Sequence, residues 1–235
     1  MCGICGVHAP GGVAGDDLRS VDRMSAVLVH RGPDGEGRWS DHRVALAHRR
    51  LAVIDVPGAR QPAVADDGRV VLVYNGEVYN HHDLRRTLAG RGHRFRTAGD
   101  TEVVLRGYEE WGDEVVERLR GMFAFAVWDA RRDHLLLARD RLGVKPLYHA
   151  ETPGGRLVFA SEIKAVLQDD GVPRALNARR LPEYLAFRTV SGSETMFEGV
   201  RELERAPGSR SRATGRRRRP SSCAVRATRS AAAGR

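Results

Sequence analysis

Apolar residues along the chain fall into two kinds of pattern, short continuous runs and stripes at three- and four-residue spacing, which alternate with no obvious linker before Glu204. Runs at residues 4–8, 44–47, 52–55, 70–74, 122–128 and 134–138 are rich in Val, Ile, Leu or Phe and bounded by turn residues, which predicts strands. The polar group Asp129-Ala130-Arg131-Arg132-Asp133 between the last two predicts a hairpin, and residues 147–148 and 157–160 would extend the same sheet. Helical spacing predicts a helix over 16–27, with Asp16 as N-cap and Leu18, Val21, Met24 and Leu28 on one face. Further helices are expected at 83–90, at 102–111 with an apolar stripe of Val104, Leu105, Tyr108 and Trp111, and at 181–187. Hairpins interleaved with helices point to an α+β layered domain rather than a doubly wound parallel sheet.

Composition narrows the class without changing this picture. At 235 residues the chain is long enough for a sizeable buried core, and 41% hydrophobic against 29% charged residues argues against wholesale disorder. No apolar run approaches the roughly 18 to 20 residues that span a bilayer, so no membrane is expected as a partner. The formal charge of +9 invites a nucleic-acid reading, but its distribution argues otherwise. Ten of the 39 basic residues and none of the 30 acidic ones lie in 205–235, which leaves residues 1–204 at about −1. That tail lacks Leu, Ile, Phe, Tyr and Trp and is expected to be disordered. Its cluster Arg216 to Arg219 could give salt-sensitive binding to nucleic acid or an anionic surface. The abrupt change of composition is the better guide: it is what a shifted reading frame in G+C-rich DNA gives, and no specific nucleic acid is expected as a partner.

Three cysteines, Cys2, Cys5 and Cys223, do not make a disulfide framework. With no basic segment followed by an apolar stretch at the N-terminus, a cytoplasmic location is expected. Removal of Met1 would place the α-amine and the thiol on one residue, Cys2. An α-amine with a pKa of roughly 7.7 to 8.0 is partly neutral at pH 7 and can serve as the base that a weakly ionised thiol needs. The Cys2/Cys5 pair could instead be half a zinc site or a redox pair, although no second ligand pair with proper spacing follows.

Three further segments carry candidate chemistry. Tyr74-Asn75-Gly76-Glu77 after a strong strand is either an ordinary Asn-Gly turn or a side-chain amide and a backbone amide facing one point, as an oxyanion hole requires. His48-Arg49-Arg50 is either a solvated charge run or holds an arginine that grips a carboxylate. Gly99-Asp100-Thr101-Glu102 starts a helix, with Asp100 an N-cap or a ligand for an ammonium group. Neither a Walker-type lysine loop nor a glycine-rich dinucleotide turn follows a strand.

As a set these segments, with His30-Arg31-Gly32-Pro33-Asp34-Gly35, Gly121-Met122-Phe123-Ala124-Phe125, the stretch from Arg139 to Tyr148 and Ser161-Glu162-Ile163-Lys164, resemble the class II glutamine amidotransferases. The likeness runs from Cys2 to about Leu203 and looks most like the glutaminase half of the asparagine synthetase branch. It implies the N-terminal-nucleophile hydrolase fold, a four-layer αββα sandwich of two mainly antiparallel sheets. It implies that Cys2 attacks the side-chain amide of glutamine and that Asn75 and Gly76 hold the oxyanion. Arg50 and Val53 would bind glutamine, Arg50 at the α-carboxylate, while Glu77 and Asp100 take the α-ammonium group. Residues 2–204 would then form the glutaminase domain, needing no cofactor and no metal. ATP and magnesium are expected only for an ammonia-accepting synthetase domain, whose pyrophosphate loop Ser-Gly-Gly-x-Asp-Ser does not occur in this chain. The other readings are a glutaminase serving a different carboxylate amidation or β-lactam formation, or a non-enzymatic interaction module with a basic tail. An oligomer is compatible with either.

Overall fold

The computed structural model describes residues 1–52, 58 and 60–204, together with the backbone of 223–228. Two antiparallel sheets lie face to face. The first has the order β10 (Val200–Glu202), β8 (Tyr148–Glu151), β9 (Leu157–Ala160), β1 (Gly3–His8), β3 (Val44–Arg50), β2 (Gly35–Ser40). The second runs β11 (Cys223–Thr228), β7 (His134–Arg139), β6 (Gly121–Asp129), β5 (Val70–Val78), β4 (Ala63–Val64).

Side chains alternate across a strand, and three apolar clusters show where each face goes. Ile4, Val44, Leu46, Val71, Val73, Trp128 and Phe159 fill the space between the sheets. Val70, Leu72 and Tyr74, on the other face of β5, pack under α2 (His81–Ala89), α3 (Asp100–Trp111) and α4 (Val115–Arg118) through Leu88, Val104, Tyr108 and Val115. Cys5, Val7, Ala45 and Ala47 meet α1 (Gly15–Ala26) and α5 (Ile163–Val166) through Val21, Met24 and Val166. The result is the expected four-layer αββα sandwich. Because both faces of β1, β3 and β5 are covered, these strands read as continuous apolar runs. Trp128 is fully buried in the central layer and donates its indole N–H to Asp41 (2.6 Å), so its polar edge has a partner.

Several expectations are corrected. The cap of α1 is Ala14, whose N–H donates to Asp17 Oδ2 (2.8 Å), while Asp16 lies in the first turn and pairs with Arg19. Leu18 is 42% exposed, because the buried stripe is phased through Asp17, Val21, Met24 and Leu28, with Asp17 held by Arg156 (2.6 Å). β8 and β9 join the first sheet and not that of β6 and β7, because the stretch from 140 to 147 carries the chain from one sheet to the other. β2 went unrecognised in the sequence, since Gly-Glu-Gly-Arg-Trp-Ser gives an edge strand no apolar run. The helix α6 (Leu181–Phe187) forms where its spacing placed it, with Leu185 and Phe187 exposed.

The strand expected at 52–55 falls mostly outside the described residues, as does most of the 205–235 tail. Cys223–Thr228 depart from the disorder expected of that tail: their backbone pairs antiparallel with β7, from Cys223 opposite Arg139 to Thr228 opposite His134. Without them β7 would be a sheet edge, and an edge's unpaired N–H and C=O groups take an extended backbone almost regardless of its side chains. Among the described residues no helix is long and apolar enough to cross a membrane.

Candidate active site

A cavity of about 210 Å³ opens where β1 begins and β3 ends. Six of the predicted site residues line it: Cys2, Arg50, Asn75, Gly76, Glu77 and Asp100. The seventh, Val53, lies outside the described residues. Strand parity explains the convergence, since Asn75 and Glu77 continue the inward face of Val71 and Val73, and Arg50 continues that of Leu46 and His48. The register of β1 with β3 pairs Ile4 with His48 and Gly3 with Arg49, so Cys2 follows on opposite Arg50.

The Cys2 thiol lies against the backbone of Leu51, with Sγ 3.4 Å from its N and 3.6 Å from its O. Cys5 is separate from it. It is fully buried on the α1 side of the sheet, where burial pushes its thiol up to about 12. A zinc or redox pair is therefore excluded by geometry: one sulfur opens on the cavity and the other faces the helix layer. Met1 stands at the cavity mouth, half exposed.

The Asn-Gly step is no turn. Asn75 and Gly76 sit within β5, paired with Ala124 and Phe123 of β6, and the Gln61 side chain flanks the strand's free side. Tyr74 N–H donates to Gln61 Oε1 (2.6 Å) and Val78 N–H to Asp100 Oδ2 (2.9 Å), both away from β6. Amides two residues apart on a strand point the same way, so the Gly76 N–H turns toward the cavity that Gln61 and Asp100 line. A side chain at Gly76 would have its Cβ 2.5 Å from Met122 O and 2.7 Å from Phe123 Cα, so only glycine fits. Asn75 is 1% exposed, and its Nδ2 has no hydrogen-bond partner among the described residues. A buried donor left unpaired costs about 1 to 3 kcal/mol, which makes this amide a ready partner for an acceptor arriving in the cavity.

The charged groups divide the cavity. Asp100 is the first residue of α3, not its cap, which is Gly99; its Oδ2 accepts from Tyr74 Oη (2.6 Å) as well as from Val78 N. Burial, with Asp100 adjacent, pushes the Tyr74 phenol well above its ordinary value and keeps it a donor. Glu77 adds a second carboxylate, and Arg50 and Lys145 are the cations. The run His48-Arg49-Arg50 splits three ways rather than forming a solvated face. His48 is buried between the sheets, where burial lowers it to about 4 and leaves it neutral at pH 7, hydrogen bonded to the Tyr74 backbone. Arg49 points to the other side, donating to Ser25 Oγ (3.0 Å) and pairing with Glu36 (2.6 Å). Arg50 alone enters the cavity.

Several functional neighbours had no role assigned from the sequence. Arg31 donates from Nε to the Cys2 carbonyl (3.0 Å) and pairs through Nη1 with Glu162 (2.8 Å). Gly32 passes so close to β3 that a Cβ would lie 2.3 Å from the Arg49 carbonyl carbon, and Asp34 accepts from Ala52 N (2.9 Å). Together they brace the end of β3 that carries Arg50. Lys145 reaches the cavity from a loop fixed at both ends: buried Asp140 accepts from the amides of Phe123, Leu142, Val144 and Lys145, and Arg139 donates to the carbonyls of Gly143 and Lys145. Only their membership in quoted motifs marked these residues in the sequence.

Comparison with known proteins agrees with this geometry. The family described as "Glutamine amidotransferase domain" matches residues 1–220. The chain is 40% identical over 209 residues to asparagine synthetase [glutamine-hydrolyzing] 3 of Bacillus subtilis, covering 88% of this chain and 34% of that protein. It is 42% identical over 223 residues to a putative asparagine synthetase of Mycobacterium bovis, at 87% and 34% coverage. It therefore spans about a third of the length of these relatives. Among solved structures, the glutamine phosphoribosylpyrophosphate amidotransferase of B. subtilis superposes with a TM-score of 0.57 at 20% identity, over 70% of this chain and 42% of that one. A second, described as the allosteric regulatory enzyme of purine biosynthesis, gives 0.59 at 22%, over 71% and 43%. At that identity the likeness speaks for the fold alone. With a thiol, a buried unpaired amide and opposed charges converging at the mouth of an αββα sandwich, and a family match across most of its length, the chain belongs to the glutamine amidotransferase domain family.

Proposed function

We propose that this chain hydrolyses glutamine to glutamate and ammonia through a thioester on Cys2, and that the ammonia serves an asparagine synthetase-type partner domain that amidates a carboxylate. ATP and magnesium enter only through that partner. With Met1 removed, the Cys2 α-amine takes the thiol proton, directly or through a water, and Sγ attacks the amide carbon of glutamine. Negative charge gathers on the amide oxygen and is held by Asn75 Nδ2 and the Gly76 N–H. The carbon–nitrogen bond then breaks, the amine returns its proton to the leaving nitrogen, and ammonia departs. Water adds to the thioester by the same route, releasing glutamate and restoring the thiol. Arg50 pairs with the substrate α-carboxylate, and Glu77 and Asp100 hold its ammonium group.

The observation that carries this reading is the buried Asn75 Nδ2, without a partner among the described residues, in the same cavity as the Cys2 thiol. The test is ammonia release from glutamine by protein whose intact mass shows Met1 to be absent. The same chain with one extra residue before Cys2 should release none, because its free amine belongs to the wrong residue. Equal release by both forms would remove the amine from the mechanism.

A further inference from the structure

Cys2 is held by little. The ladder of β1 begins at Gly3, so neither the carbonyl nor the nitrogen of Cys2 belongs to the sheet, and once Met1 is gone a single peptide bond ties the residue to the chain. Its carbonyl nevertheless has a donor, Arg31 Nε at 3.0 Å, which sets the guanidinium beside the backbone from which the thiol and the amine both branch. Arg31 is itself nearly buried, and its guanidinium is anchored at the far side by Glu162 Oε1 at 2.8 Å. Glu162 comes from the end of β9, 131 residues away, and is gripped in turn by His30 Nε2 (2.9 Å) and Lys164 Nζ (3.3 Å). Burial pushes the Glu162 carboxyl up, but these hydrogen bonds outweigh it and hold it below the usual carboxylate range. Next to it, Ser161 Oγ accepts from Ile4 N (3.0 Å), so one segment braces both the first strand and the residue before it.

We infer that Glu162 is a positioning residue for the nucleophile: it holds the Arg31 guanidinium against the Cys2 carbonyl, where the guanidinium limits how that residue can turn, and it balances the guanidinium charge beside the amine. The inference rests on the proposed role of Cys2. A group that only stabilises the fold would change the melting temperature; a positioning group changes kcat and the pH profile at nearly constant KM.

The charges around Cys2 are Arg31 from the turn after α1, at its carbonyl, and Arg50 from β3, Glu77 from β5, Asp100 from α3 and Lys145 from the loop after β7, which line the same cavity. Those facing Glu162 are His30, Arg31 and Lys164, with the Tyr148 phenol of β8 close by. Glu162→Gln keeps the shape and an acceptor but removes the negative charge. Ammonia release by this variant should fall about 10- to 100-fold in kcat, as expected for a misplaced reacting group, with KM within about threefold. Its acid limb should move to lower pH, because losing the carboxylate leaves Arg31 to oppose protonation of the amine. Glu162→Asp keeps the charge and shortens the reach, so kcat should fall while the acid limb stays in place; this variant decides the matter if the Gln form does not fold. A folded variant of either kind with kcat within twofold of the parent would overturn the inference, and so would a Gln variant whose acid limb does not move.

Alkylation of Cys2 by iodoacetamide, followed on the N-terminal peptide so that Cys5 and Cys223 do not contribute, separates this inference from the glutaminase reading. Compared at a pH above both acid limbs, it should slow about tenfold in Glu162→Gln, because a misplaced amine no longer takes up the thiol proton. If the parent releases no ammonia yet Cys2 alkylation still depends on Glu162, the positioning stands and the glutaminase reading falls. If ammonia is released and neither readout depends on Glu162, the reverse holds.

Discussion

Cys2→Ala should abolish glutamine hydrolysis, with a loss of about 10⁴-fold or more, because the proposed mechanism makes the thiol the nucleophile, and removing a covalent nucleophile leaves only the catalysis due to binding and oxyanion stabilisation. The loss should be confined to kcat. In the proposed mode glutamine is held by Arg50, Glu77 and Asp100, which line the same cavity, so isothermal titration of the Ala variant should still register binding, with no turnover to obscure it. Stability should change by less than about 1 kcal/mol, since among the described residues the sulfur's hydrogen bonds are two long ones with the Leu51 backbone. Ammonia release that survives this substitution would remove the thioester route. Cys5 offers no substitute nucleophile, buried as it is on the far face with its thiol pushed up to about 12.

Asn75→Ala is the second large effect, about 10² to 10³ in kcat with KM little changed, the usual consequence of deleting one oxyanion donor, the role proposed for its side-chain amide. Its stability signature distinguishes it from ordinary core damage. Asn75 Nδ2 is buried with no partner among the described residues, so removing it also removes an unmade hydrogen bond, and the melting temperature should hold or rise. A group retained at a cost to the fold is what a preorganised site looks like. A kcat within threefold of the parent would show that the Gly76 amide suffices and that Asn75 serves another purpose.

How much of this was legible in the sequence differs from residue to residue. Cys2, Asn75, Gly76 and Asp100 stand in contiguous motifs, so their identity could be read before any geometry was known. What Asn75-Gly76 forms could not: by local preference the pair is a turn signal, and only pairing with Ala124 and Phe123 and the clamp of the Gln61 side chain hold it extended. The same limit applies to His48, Arg49 and Arg50, whose separate fates follow from strand parity once both faces of β3 are known to be covered. The Arg31–Glu162 pair was out of reach because its members lie 131 residues apart and nothing local links them. The membership of β8 and β9 depended on the crossing loop that Asp140 and Arg139 fix, a long-range arrangement that apolar runs do not encode. The layered α+β architecture, by contrast, followed from period alone, since apolar runs and helical stripes alternate throughout residues 1–204.

The proposed glutamyl thioester on an N-terminal Cys2 can be seen in the intact and peptide mass of the protein quenched in acid during turnover with glutamine. The expected spectrum shows a chain without Met1 that carries one glutamyl adduct on the peptide beginning at Cys2, absent from Cys2→Ala and from the form with an extra N-terminal residue. Ammonia released at full rate with no adduct at Cys2, or with the adduct on another residue, would contradict it.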